Sequence, residues 1–134
     1  MDLRPLTPDL SVAPQISVAD LPAIRAAGFR TLICNRPDGE SPGQPDWSEI
    51  EQAARAAGLA THWLPAVSGQ VTQELGARFA ALMESAEKPV LAYCRSGMRS
   101  ATLWALGARP GTPVPTLLET AARAGYDLSG PLSR

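Results

Sequence analysis

The stretch Val90-Leu-Ala-Tyr-Cys94-Arg-Ser-Gly-Met-Arg99-Ser-Ala-Thr-Leu-Trp104 places four residues between a cysteine and an arginine. The apolar run before Cys94 reads as a buried strand, and the residues from Arg99 onward read as the start of a helix. A short loop at such a junction can curl so that its backbone N–H groups converge on one point and cradle an anion. The helix N-terminus adds partial positive charge and unpaired donors. Gly97 allows a backbone angle that other residues resist, and Arg99 offers a planar fork for two oxygens. A thiol in this field is expected to be held as a thiolate, the form that acts as a nucleophile. The competing structural reading is a small, inert cysteine that merely ends a strand. The run Arg-Ser-Gly-Met-Arg behind Cys94 weighs against it. The candidate catalytic residues are therefore Cys94 and Arg99, with Arg95, Ser96, Gly97, Met98 and Ser100 as candidate anion-binding residues. Arg95 either meets a substrate at the rim or is simply solvated. Ser96 and Ser100 either donate to the thiolate or an oxyanion, or serve the helix start locally.

The elements that must position this loop are legible in the hydrophobic pattern. A short strand is expected around Leu10–Ala13, and Ser17-Val-Ala-Asp20 resembles a capping box opening a helix over Val18–Ala27, closed by Gly28. Arg30–Asn35 reads as a strand, followed by a loop rich in turn residues, Arg36–Pro45. Asp46 is expected to cap a helix over Trp47–Ala57, with Trp47, Ile50, Ala53, Ala54 and Ala57 on one face. Thr61–Pro65 is a further strand, Thr72 caps a helix running to Ala86, and Lys88–Tyr93 leads into Cys94. Helices over Arg99–Ala108 and Val114–Ala124 close the chain. Strands separated by helices imply a single α/β domain over residues 1–134, with a central, mostly parallel sheet flanked by helices. Ligands of such sheets bind beyond the carboxyl ends of the strands, where the Cys94 loop falls.

Composition narrows the functional classes. The chain has 134 residues, twelve basic against thirteen acidic, for a net charge of −1. That balance removes the electrostatic case for nucleic acid or an anionic membrane. No apolar run approaches the ~20 residues of a membrane span. The opening MDLRPLTPDL lacks the apolar segment of a secretory signal. Two cysteines, Cys34 and Cys94, and one histidine make neither a disulfide scaffold nor a recognisable zinc site, so no metal is expected. A reducing, cytoplasmic setting is the expectation. Cys34 reads as a core hydrophobe rather than a disulfide partner, and His62 as an ordinary strand histidine. Asn35, Arg36 and Asp38 read as fixing the long loop.

Cys94-Arg-Ser-Gly-Met-Arg99 resembles the active loop of rhodanese-type sulfurtransferases. Three wider stretches resemble dual-specificity phosphatases: Gly28-Phe-Arg-Thr-Leu-Ile-Cys-Asn-Arg-Pro37, His62-Trp-Leu-Pro65 and Lys88-Pro-Val-Leu-Ala-Tyr-Cys94. Together these are similar to the beta-lactamase-hydrolase-like, phosphatase-like family, from about Ser11 onward. The resemblance implies a cysteine-phosphatase-like fold of the protein tyrosine and dual-specificity kind. Three departures from the phosphatase pattern stand out. The loop has four rather than five residues between Cys94 and Arg99, so Ser100 falls where a phosphatase places its arginine. Tyr93 stands where a histidine is usual. The loop Ala66-Val-Ser-Gly-Gln-Val71, where a general-acid aspartate is expected, holds no carboxylate.

The missing acid bears on the reaction. An alkoxide leaving group needs a proton, and general acid help contributes about 10²–10⁴-fold. Sulfite, expelled when sulfur leaves thiosulfate, needs none. Sulfur transfer through a Cys94 persulfide is therefore the leading expectation, with a small anionic substrate and no organic cofactor. The alternative is a phosphatase working through a Cys94 thiophosphate. A third reading is a non-catalytic anion-binding module. The resemblance also admits a metallo-beta-lactamase-like persulfide dioxygenase as partner.

Overall fold

The structure is a computed structural model that describes residues 1–133. Strand β1 (Arg4–Thr7) and strand β2 (Leu10–Ala13) form an antiparallel hairpin. A 3-10 turn (Val18–Asp20) leads into α1 (Leu21–Ala26), then β3 (Thr31–Cys34), α2 (Trp47–Ala56) and β4 (Ala60–Trp63). Helix α3 (Gln73–Ser85), β5 (Val90–Tyr93), α4 (Met98–Ala108), α5 (Val114–Arg123) and α6 (Ser129–Leu132) complete the order. The sheet runs β1-β2-β5-β3-β4, parallel except for β1. The expected α/β architecture is therefore present, with a mixed edge. Among the described residues, no helix is long and apolar enough to cross a membrane.

The central strands are apolar on both faces, as a sheet covered on both sides requires. Leu10, Val12, Ile33, Val90 and Ala92 face a core closed by α3, α4, α5 and the segment around Leu128. Ala13, Leu32, Cys34, Leu91 and Tyr93 face the other core, under α1 and α2. Helices α3 and α4 pack closely because Gly76 and Gly107 meet. A Cβ at Gly107 would lie 2.4 Å from the Gly76 carbonyl oxygen. That contact seats α4, and with it the loop at its N-terminus.

Boundaries differ from the pattern reading in instructive places. β1 was not expected. Its four residues pair only with β2 and carry no clean alternation, so neither period announces it. Helix α6 also went unexpected; four residues including Gly130 and Pro131 give no helical period. The expected helix over Val18–Ala27 starts as the 3-10 turn, and Asp20 does reach back to accept the Ser17 N–H at 2.9 Å. Thr72 caps α3, accepting from the Leu75 N–H at 3.2 Å. Asp46 occupies the expected cap position of α2, but its side chain makes no cap bond. Asp38, from the preceding loop, accepts the Trp47 N–H instead, at 2.8 Å.

Candidate active site

β5 runs between β2 and β3 and delivers Cys94 at the carboxyl end of the sheet, as expected. The loop turns at Gly97, whose φ of +93° lies in the left-handed region that glycine adopts freely. The Gly97 N–H thereby points back and donates to Cys94 Sγ at 3.1 Å. Cys94 itself is fully buried, at the floor of the loop. It is not enclosed by aliphatic groups alone, because a peptide hydrogen faces its sulfur. The Arg95 and Ser96 amides donate to no described residue. They lie directly before α4, whose own first N–H groups lack intrahelical acceptors. These donors are the raw material of an anion cradle.

The back of the loop is tied down. The Arg95 carbonyl accepts the Gln15 N–H at 3.1 Å. The Ser96 carbonyl accepts the Tyr126 hydroxyl at 3.0 Å, which ties that oxygen to a buried core residue. The Ser96 hydroxyl accepts the Met98 N–H at 3.3 Å, a local use rather than a bond to sulfur. Ser100 is fully buried and donates to Asn35 Oδ1 at 2.8 Å. Asn35 in turn donates to the Leu64 carbonyl at 2.9 Å, and its N–H to the Tyr93 carbonyl at 2.8 Å. Ser100 and Asn35 therefore lock the start of α4 to β3 and β5 from beneath. Of the expected anion-binding residues, Arg95, Ser96 and Met98 line an open cleft of about 460 Å³ together with Arg99. Gly97 and Ser100 do not.

Glu40 also lines that cleft, and sequence reasoning missed it. Arg99 donates from Nη2 to Glu40 Oε1 and from Nη1 to Glu40 Oε2, each at 2.7 Å. Nη1 also donates to the Ala66 carbonyl at 2.8 Å. A guanidinium has five N–H donors in a fixed plane. Three are thus engaged, leaving the edge formed by Nε and the second Nη2 hydrogen for Cys94 and an oxyanion beside it. Arg36 stands behind Glu40 and is nearly buried. It donates from Nε to Glu40 Oε1 at 2.9 Å, from Nη1 to Gln15 Oε1 at 3.0 Å and from Nη2 to the Ser41 hydroxyl at 3.0 Å. Its role is structural, as expected for the residues after β3. Hydrogen bonds from Arg99 and then Arg36 pull the Glu40 carboxyl down to about 2. Glu40 is therefore a carboxylate at neutral pH and holds no proton to give. Its i,i+4 spacing from Arg36 was the one sequence signal, but nothing in the sequence joins either residue to Arg99.

The other candidates resolve simply. Cys34 and Tyr93 lie opposite one another in the parallel pair β3–β5 and share one core. Cys94 is the next residue, just beyond the end of β5. Both cysteines are free thiols. Burial pushes the Cys34 thiol up to about 11, so it stays protonated. Trp63 stacks on Trp47, ring centroids 6.5 Å apart, and donates to the Arg36 carbonyl at 3.1 Å. These aromatic groups hold the Glu40 loop against the sheet. No cluster of three metal-ligating side chains occurs among the described residues.

A cysteine at the end of a central parallel strand, an arginine at the following helix start and a cradle between them invite comparison with known proteins. A family model for the phosphatase-like domain of beta-lactamase hydrolase-like proteins matches residues 2–110. The chain belongs to this family. A beta-lactamase hydrolase-like protein of Agrobacterium fabrum is 44% identical over 99 residues, covering 73% of this chain and 23% of that protein. The chain thus spans about a quarter of the length of that relative. Among solved structures, a "putative phosphatase" from Neisseria meningitidis superposes with a TM-score of 0.87 at 37% identity, covering 96% of this chain and 92% of the other. Pseudomonas aeruginosa TpbA in complex with pTyr gives a TM-score of 0.69 at 18% identity, covering 95% and 76%. The second likeness is one of fold alone. The family domain ends before Tyr126, so the residue that braces the Cys94 loop lies outside the matched span.

Proposed function

We propose that the chain is a cysteine-dependent phosphatase acting on phosphate monoesters whose alcohol departs readily, aryl esters above all. The Gly97 N–H directed at Cys94 Sγ, beside the open edge of the Arg99 fork, carries this reading. In the first step the Cys94 thiolate attacks phosphorus, the bond to the ester oxygen breaks, and the aryloxide leaves with its electron pair. In the second, water attacks the phosphorus of the Cys94 thiophosphate, the P–S bond breaks with its electron pair returning to sulfur as the thiolate, and phosphate leaves while the water's proton passes to phosphate or solvent. Loop amides and Arg99 hold the equatorial oxygens throughout, where preorganised donors stabilise developing charge. Glu40 is ionised and paired, and the Ala66–Val71 loop has no carboxylate, which supports substrates that need little acid assistance. The likeness to a phosphatase-named structure at 37% identity adds weight to phosphoryl over sulfur chemistry.

Sulfur transfer, the leading expectation from sequence, stands second. The spacing of four residues between Cys94 and Arg99 favours it, because one residue fewer than the phosphatase pattern reshapes the cradle that pattern uses for phosphate. Here the Cys94 thiolate attacks the outer sulfur of thiosulfate, the S–S bond breaks and sulfite leaves with the electron pair. A thiol or cyanide then takes sulfur from the Cys94 persulfide. A cytoplasmic setting goes with either reading, and a metallo-beta-lactamase-like persulfide dioxygenase partner with this second one.

Parallel assays separate the two. Turnover of an aryl phosphate, abolished in Cys94→Ser with the fold intact, is the predicted result. A persulfide on Cys94 after thiosulfate treatment, discharged by cyanide, with no phosphate release, would move the assignment to sulfur transfer. Neither activity would leave an anion-binding module.

A further inference from the structure

A second cleft, of about 420 Å³, opens directly beside the first. Ser68, Met98 and Arg99 line both, so the two are continuous across the Arg99 guanidinium. Beyond that shared wall the chemistry changes. The first cleft is bordered by Glu40, Arg95 and Ser96. The second is bordered by Val71, Leu106 and Pro131, with Thr102 between them. The Thr102 hydroxyl donates to the Met98 carbonyl at 2.8 Å, so its polar atom is already engaged. Gln73 and Arg109 close the far wall and are bonded to each other at 2.8 Å, which fixes their polar ends in place.

Small-molecule sites are typically about 300–1,000 Å³, mostly apolar, with a few polar groups that orient the ligand. A small inorganic anion on the Cys94 loop would leave this second space empty. We infer that the groove between the Ala66–Val71 loop, α4 and α6 receives the apolar body of the substrate's leaving group while Arg99 holds its anionic end. The inference rests on the phosphatase reading and names its substrate class: monoesters of bulky aryl or extended apolar alcohols, rather than of small polar ones. Continuity with the cradle decides the occupant. Ser68 and Met98, which line both clefts with Arg99, mark where a group bonded to a phosphorus atom at the Arg99 edge passes into the groove. Pro131 supplies one wall, and it lies beyond the span matched by the family model.

The test measures binding of two unreactive phosphonates, methylphosphonate and naphthylmethylphosphonate, to the full chain by calorimetry. The naphthyl compound is expected to bind at least about tenfold tighter. Val71→Trp fills the groove without touching the cradle, and it should abolish that preference while methylphosphonate affinity stays unchanged. Pro131→Trp fills the same space from the opposite wall and should do likewise, which guards against a local folding fault in either variant. Equal affinity for the two phosphonates would overturn the groove assignment and leave the anion cradle standing. Persistence of the preference in both filled variants would also overturn it. Failure of both phosphonates to bind would overturn the groove and the phosphatase reading together.

Discussion

Glu40 and Arg99, 59 residues apart in the chain, are joined by two parallel charge-assisted hydrogen bonds of 2.7 Å each. Such paired bonds fix the plane of a guanidinium as well as its position. Glu40 is held in turn by Arg36, which is anchored to Gln15 and Ser41. The fork that meets the substrate is thus oriented by the loop that follows β3, the strand next to β5.

Replacing Glu40 by Gln removes the charge from this pair. Hydrogen bonds to charged groups contribute about 1.5–3 kcal/mol. Loss of Arg99 alignment is expected to lower kcat/KM for an aryl phosphate by about 10- to 100-fold. Steady-state kinetics check this. A rise in activity would instead mean that Glu40 competes with the substrate for Arg99.

The same pair predicts an acid limb in stability. The folded-state carboxyl of Glu40 sits at about 2, below its ordinary value of 4.5. A depressed carboxyl contributes stability that is fully present above the unfolded value and fades as pH falls toward the folded one. Chemical denaturation of the protein and of Glu40→Gln should therefore differ most above about pH 5 and converge near pH 2. A gap that stays constant across this window would contradict the assignment.

Gly97 and Tyr126 set the loop. A Cβ at Gly97 would fall 2.1 Å from the Tyr126 hydroxyl oxygen, on a backbone angle that side chains resist. Gly97→Ala should lose nearly all activity, because the turn that aims the N–H at Cys94 cannot be kept. Tyr126→Phe removes only the bond to the Ser96 carbonyl and should cost about 0.5–1.5 kcal/mol in stability. It should retain far more activity than Gly97→Ala. Urea denaturation and aryl phosphate turnover, measured on both variants, separate the two effects.

The thiols should behave unequally. Both thiols are buried, but the Gly97 N–H is directed at Cys94 Sγ, whereas the Cys34 thiol beside Tyr93 is pushed up to about 11. Iodoacetamide at neutral pH is expected to label Cys94 and spare Cys34, as peptide mapping would show. Labelling of Cys34 first would contradict this contrast between the two sulfur environments.

The Cys94–Arg99 loop was legible because strand, nucleophile, glycine and arginine are contiguous, so local chemistry and local structure speak together. Helix starts such as Thr72 were legible for the same reason. Glu40 was not, because its meaning lies in a contact between the segments that follow two neighbouring strands, β3 and β5, and its own neighbourhood is a run of turn residues. Asp38 likewise caps α2 from nine residues upstream of Trp47, a bond that no capping pattern encodes. β1 escaped because an edge hairpin of four residues needs only one partner strand. The ranking of sulfur over phosphoryl transfer leaned on loop length and a missing acid, and the family's structural relatives weigh the other way.

One measurement reaches the central claim most directly. The protein is mixed with an aryl phosphate, quenched in acid within the first turnovers, and analysed by mass spectrometry after digestion. A phosphoryl group on Cys94, absent from Cys94→Ser and discharged as turnover completes, is the predicted result. Continued phosphate release by Cys94→Ser, with no adduct on Cys94 in the unaltered protein, would contradict it.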